Sequence, residues 1–243
     1  MSPGDVRDLV QQYLPERMHR RPGAVLYSGT DAIRPGAAYL MGFNPGGDPS
    51  GGNWKPLVDT IPEHSTWSAY THECWRCAQG SACRHENPGT PVAESVLVRH
   101  QRNVMKVMNA MGARPEDVVS VNAVFGRSVC VATLEADTGI SLDDWWGACW
   151  RVHLELLAMV RPRVIVSLGY GLRGSALGLL RKRLAGSEIR SVTENGRRCG
   201  RVFAGTLDLP DGSKLASHVV GVPHPSWQEI GPGMDAELRS LVA

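Results

Sequence analysis

Three polar side chains follow short apolar runs in this 243-residue chain, and their types suit a planar, hydrogen-bonding ligand. The run Ala37 to Met41 (AAYLM) leads into Gly42-Phe43-Asn44-Pro45-Gly46-Gly47. Asn-Pro forms turns, and glycine on both sides lets backbone approach a ligand closely. The run Val118 to Val121 (VVSV) ends in Asn122-Ala123-Val124-Phe125. A carboxamide there offers one acceptor and two donors, which can match the edge of a pyrimidine. The run His218 to Val222 (HVVGV) ends in Pro223-His224-Pro225-Ser226-Trp227. Two prolines stiffen the backbone around His224 and hold its imidazole in place. Taken singly, each is an ordinary strand-end residue. Taken together, polar side chains at the same end of three strands are expected to point into one crevice.

A second constellation is Cys74-Trp75-Arg76-Cys77, followed by Cys83 and His85. Two thiolates at CxxC spacing can wrap one ion, and Cys83 or His85 can complete a tetrahedron, the donor set of a structural zinc. His64 and His72 are further candidates, and the alternative is a loop of unliganded cysteines. The zinc-deaminase pattern, HxE preceding PCxxC, is absent. Gly169 to Gly174 fits GxGxxG after a strand, but no acidic residue closes a second strand about 20 residues on. That motif is assigned to helix–sheet packing rather than to a dinucleotide.

The elements that position these residues are legible in the hydrophobic pattern. Val164 to Leu168 (VIVSL) completes a set of four apolar runs, each ending in Gly, Asn or Pro. Continuous apolar runs flanked by helices imply parallel strands covered on both faces. Helical periodicity covers Asp5 to Tyr13, Ser95 to Met111, Ser141 to Val160 and Gly174 to Leu184. Ser141 is the expected N-cap of the third, with Asp144 at its third helical position and Pro162 ending it. Leu142, Trp146, Cys149, Trp150, Leu154, Leu157 and Ala158 are its expected inner face. Strands alternating with helices predict an α/β fold, a three-layer α/β/α sandwich around a mainly parallel four-stranded sheet. The stretch from Pro45 to Pro91 shows no sustained period, and a loop this long inside a compact domain is usually functional or stapled.

Composition excludes several classes. Hydrophobic residues at 42% and charged residues at 21% rule out a disordered, collagen-like or coiled-coil chain. Six cysteines in a chain of this length are not a disulfide scaffold. No stretch approaches the roughly 18–20 apolar residues of a membrane span, and the polar start lacks a secretory h-region. A soluble protein of the cytoplasm, with no membrane partner, is the expectation. The net charge of +2 is uninformative. Between Arg161 and Arg201, however, basic residues far outnumber Glu188 and Glu194, and such patches attract phosphates.

The strand-then-GFNPG segment, the middle strand ending VNAVF and the strand-then-VPHPS segment together resemble the uracil-DNA glycosylase superfamily. GFNPG is similar to the first motif of its mismatch-specific and single-strand-selective branches, HPS to its second motif, and VIVSLG to its third strand. The likeness spans roughly residues 35 to 230. It implies one uracil-DNA glycosylase-like domain over residues 1–243, with a Cys/His-rich loop insertion at about 45–91. It also implies base excision repair, with DNA containing a damaged or mismatched base as the partner. The enzyme would hydrolyse the N-glycosidic bond of uracil or a related damaged pyrimidine, acting as a monomer and needing no cofactor for its chemistry.

Residue by residue, the resemblance makes His224 the donor to the oxyanion developing on the base and Asn44 the residue that orients the attacking water. Asn122 reads the base, and Gly42 and the Phe43 backbone touch it. Trp54, with Trp67 as second choice, is the expected aromatic platform for an everted base. Ser226 meets phosphate, and Trp227 and Ile230 are the expected wedges. Gly46 stands where the strict uracil branch has a bulky residue that excludes a 5-methyl group, so 5-substituted pyrimidines should be admitted. Iron–sulfur branches place their first cysteine pair before the first motif, whereas Cys74, Cys77, Cys83 and His85 all follow it, so no cluster is carried over. The alternative functions are a catalytically inactive member of the fold that binds nucleic acid or a nucleobase, and an unrelated enzyme binding a nucleotide at the glycine-rich turn.

Overall fold

The computed structural model describes residues 1–50, 54–75 and 90–242. It is an α/β fold with eight α-helices among the described residues and one mixed seven-stranded sheet. In chain order, α1 (Pro3–Tyr13) and α2 (Glu16–His19) precede β1 (Tyr39–Gly42), and α3 (Ala69–His72) and α4 (Arg99–Ala110) lead to β2 (Val119–Asn122). Next come α5 (Leu134–Thr138), α6 (Leu142–Val160), β3 (Val164–Leu168) and α7 (Ala176–Arg183). The chain finishes with β4 (Ala185–Gly186), β5 (Arg190–Glu194), β6 (Arg197–Asp208), β7 (Lys214–Val222) and α8 (Pro232–Val242).

The four expected strands are present and pair in parallel in the order β2-β1-β3-β7. The expectation of a four-stranded, mainly parallel sheet is nevertheless corrected: β6 runs antiparallel beside β7, and β4 and β5 pair antiparallel with β6. Two tight turns make this extension. Asn195 (φ 50°) and Gly196 (φ 73°) join β5 to β6 in the left-handed conformations that a two-residue hairpin requires. Pro210-Asp211-Gly212 joins β6 to β7, with Asp211 Oδ1 accepting from Ser213 N at 2.9 Å. Unlike β1, β2 and β3, β6 alternates buried and exposed positions from Phe203 on, as does the facing start of β7, because one face there meets solvent.

Each parallel strand feeds a core on either face of the sheet. Tyr39 and Met41 of β1, Ile165 of β3 and Val219 of β7 join a cluster with residues of α1, α6 and α7. Leu40, Val166 and Val220 join a second cluster with Val104, Val107 and Met108 of α4 and Met234 and Leu238 of α8. Serine caps set the helix starts. Ser141 Oγ accepts from Asp144 N at 3.1 Å, and Ser175 Oγ accepts from Gly178 N at 3.3 Å. The helix expected from Ser95 starts at Arg99, after a single 3₁₀ turn at Glu94–Val96. α6 buries a wider face than expected, adding Trp145, Val152, His153 and Leu156, because it lies over the centre of the first cluster.

His153 is fully buried between Phe125 and Trp146 of that cluster. Its Nε2 donates to Ala123 O at 3.2 Å, which leaves Nδ1 to accept from Tyr39 Oη at 2.9 Å. Burial pushes its imidazole down to about 4. An unfolded chain, with histidine near 6.5, binds this proton earlier, so stability is lost as pH falls from 6.5 towards 4 and levels off below. The expected loss from this group is about 3 kcal/mol. Denaturant midpoints measured across that range should fall less steeply for His153→Gln, which keeps a donor and an acceptor but does not titrate. Equal slopes for the two proteins would overturn the assignment.

Candidate active site

Asn44, Asn122 and His224 all stand at or just beyond the carboxyl ends of parallel strands, beside the switch point between β1 and β3, where the chain leaves β1 for β2 on one side and later enters β3 on the other. Ligands bind open α/β sheets at such switch points. Gly42 and Asn122 are register partners at the ends of β1 and β2. Beyond them the two chains stay stitched together, with Ala123 N, Val124 N and Ser128 N donating to Gly42 O, Phe43 O and Pro45 O. The first motif and the segment after β2 therefore form one rigid floor.

Asn122 is 6% exposed, and among the described residues its Nδ2 makes no hydrogen bond of normal geometry, with the Tyr27 hydroxyl as its neighbour. Leaving such a donor unmade costs about 1–3 kcal/mol, and buried amides in folded proteins are nearly always paired. Its Oδ1 lies so close to Gly42 that a Cβ there would sit 2.4 Å from it, which explains glycine at position 42. Burial pushes the Tyr27 phenol up, partly offset by the Arg127 guanidinium and by the Asn122 amide, which points a donor at it.

Asn44 is held by its amide. Nδ2 donates to Ser128 Oγ at 2.8 Å and Pro45 O at 3.0 Å, with Ser128 O at 3.4 Å. Ser128 Oγ passes its own proton to Cys130 O at 2.8 Å, so it can only accept from Asn44. This set of acceptors fixes which end of the carboxamide faces them and turns Oδ1 away, with no donor to it among the described residues.

His224 is set by its loop. Ser226 N donates to His224 Nδ1 at 3.3 Å, which places the ring proton on Nε2. Partial desolvation holds the imidazole below its usual range. The loop itself is gripped by α4: Asn103 Nδ2 donates to Pro225 O at 2.8 Å, Arg99 to Trp227 O at 2.8 Å, and His100 Nδ1 meets Ser226 Oγ at 2.9 Å. The His100 and His224 rings stand edge to face, 5.7 Å apart. Burial, with the His224 charge adding to it, pushes His100 down to about 4.

The aromatic side chains differ in part from expectation. Trp54 is half-buried, but the Arg127 guanidinium covers its ring at 3.6 Å and its Nε1 donates to Asp48 O at 2.7 Å. Trp67 packs on His72, 6.4 Å between rings. An array that the sequence did not signal runs instead from Tyr27, beside Asn122, through Tyr70 and Trp75 to His100, beside His224, with successive rings 5.5–6.4 Å apart. Phe43 packs half-buried against the core. Trp227 is 79% exposed and projects, whereas Ile230 packs against the second cluster. A polar groove of about 630 Å³ lies alongside, between α4 and Glu229, lined by Arg99, Arg102 and Lys106. Cys77, Cys83 and His85 lie outside the described residues. Cys74 is half-buried at the edge of a described segment, and among the described residues no three His, Cys, Asp or Glu side chains gather to hold a metal. The Gly169–Gly174 segment is irregular, and α7 starts only at Ala176. Among the described residues, no helix is long and apolar enough to cross a membrane.

Sequence reasoning missed Tyr27, His100, Arg127 and Ser128. None carries a motif, and each reaches the crevice through a partner far away in the chain. No family model matches the chain, and no curated protein sequence matches it.

Proposed function

We propose that the chain is a monofunctional DNA glycosylase of the uracil-DNA glycosylase superfamily, folded as that superfamily's three-layer α/β/α sandwich. It acts as a monomer on uracil or a related damaged pyrimidine in DNA. The observation that carries this reading is the buried Nδ2 of Asn122, a donor at the end of β2 that makes no hydrogen bond of normal geometry among the described residues.

In this reading an everted pyrimidine places a carbonyl on Asn122 Nδ2. The N1–C1′ bond breaks, and the base takes the bonding pair. Negative charge grows on the base oxygen, where His224 Nε2–H donates a hydrogen bond that strengthens as the bond lengthens. Water donates a hydrogen bond to Asn44 Oδ1, attacks C1′ and gives its proton to solvent, because a carboxamide cannot take it up. Neutral His224 suits this role: its Nδ1 is already engaged by Ser226 N, so its only free ring group is a donor.

The direct test is incubation with uracil-containing single- and double-stranded oligonucleotides, followed by alkaline cleavage of abasic sites. Base release is expected. DNA binding without an abasic product would instead favour the catalytically inactive alternative.

The pocket's selectivity gives a separate expectation. A Cβ at Gly46 would meet nothing within 4 Å, and Gly46 is not held at positive φ, so a side chain fits there. Wild type should release 5-substituted pyrimidines as well as uracil. Gly46→Tyr should fill the space and lower release of the 5-substituted base by at least ~10-fold relative to uracil. Equal effects on the two substrates, measured as kcat/KM, would show that position 46 does not face the 5-position.

A further inference from the structure

The three strands beyond the parallel sheet place charge at the mouth of the crevice. β6 pairs with β7 up to Arg201↔Gly221, and Arg197 to Gly200 continue past that level with only β5 beside them. Because β6 is antiparallel to β7, this continuation lies at the carboxyl end of β7, the end that carries His224. The four residues extend the hairpin by about 13 Å. Its tip is anchored, not loose. Tyr170 Oη donates to Arg198 O at 3.4 Å, Arg201 Nη1 to Tyr170 O at 2.5 Å, and Gly233 N to Glu194 Oε1 at 3.1 Å. These bonds tie the tip to the loop after β3 and to the start of α8.

Arg197 and Arg198 are both exposed, and among the described residues neither is in an ion pair. Glu194, the register partner of Arg197, accepts from Gly233 N, and Glu237 is paired with Arg190. The same fold leaves Arg173 at this end, in the loop after β3, and sends other members of the basic excess between Arg161 and Arg201 away from it. Arg163 precedes β3, and Lys182 lies at the end of α7, both at the opposite end of the sheet. An anchored hairpin tip with two exposed guanidinium groups that are in no ion pair among the described residues has the charge and shape to hold a phosphodiester backbone.

We infer that the β5–β6 hairpin is a phosphate-binding arm: Arg197 and Arg198 engage the backbone of the DNA strand whose base enters the Asn44–Asn122–His224 crevice. This rests on the glycosylase reading for the identity of the polymer, and it assigns the antiparallel extension of the sheet a binding role of its own.

The test is the salt dependence of binding to an oligonucleotide carrying a stable abasic analogue, between roughly 50 and 200 mM salt. It needs no turnover. Each phosphate that the protein ceases to neutralise should lower the slope of log K against log salt by about 0.9 for duplex DNA. Arg197→Ala/Arg198→Ala should lower it by about one to two and weaken binding several-fold at the higher salt. Arg163→Ala/Lys182→Ala removes equal charge from the far end of the sheet and should leave the slope as in wild type. Equal slopes for the hairpin variant and wild type, or equal reductions in both variants, would overturn the arm while leaving the glycosylase reading intact. Failure of the wild type to bind any DNA would overturn both. Far-ultraviolet circular dichroism melts establish that the exposed substitutions leave the fold unchanged.

Discussion

Asn44→Ala lowers base release by about 10²-fold or more while the affinity for an abasic-analogue oligonucleotide stays within a few-fold of wild type. The expectation follows from how Asn44 is held. Its amide faces Ser128 Oγ, Ser128 O and Pro45 O, so only Oδ1 is left to accept a hydrogen bond from water. Removing it leaves water without a fixed lone pair to point at C1′, and positioning is what this side chain supplies. The same surroundings make Asn44→Asp informative. A carboxylate is the better base, yet here it would set an anionic oxygen against backbone carbonyls of residues 45 and 128. The aspartate variant should therefore also lose activity, with single-turnover rates below wild type. A faster aspartate enzyme would show that the oxygen cage does not orient residue 44.

The second large effect belongs to His224. Loss of one preorganised donor to a developing oxyanion costs about 10²–10³-fold in rate, so His224→Ala should fall by that amount in kcat with little change in substrate affinity. The pH profile carries the finer prediction. Desolvation holds the His224 imidazole below its ordinary value of 6.5. Wild-type activity should therefore stay level as pH drops through 6.5 and decline only below it, because a proton on Nδ1 displaces the Ser226 N–H that orients the ring. His100, the ring facing it, is pushed down to about 4 and so stays neutral through the same interval. Residual activity of His224→Ala should show no such acid limb. A wild-type limb centred at or above 6.5, or the same limb in the alanine variant, would remove His224 from the role of neutral donor.

Much of the framework was legible in the sequence because its determinants are local. Four apolar runs became the four parallel strands, with ends shifted by only a few residues except at β7, which starts four residues earlier at Lys214. Ser141 caps α6 as its spacing with Asp144 indicates. Period, capping chemistry and turn residues act over a few positions, so they can be read from a few positions. The antiparallel extension was missed although Asn195-Gly196 and Pro210-Asp211-Gly212 are turn signals; β5 and β6 lack the continuous apolar runs that mark the parallel strands.

The site shows the same division. By itself the sequence determined which polar residues close the strands: Asn44, Asn122 and His224. Tertiary structure alone decided what holds them. Ser128 meets Asn44 across 84 residues, and His100 meets Ser226 across 126. It also decided that Trp54 is covered by Arg127, and that a continuous basic stretch divides between the two ends of the sheet. Strand order and register set these contacts. Both are fixed by burial of the parallel strands on two faces, a property that no short window of residues contains.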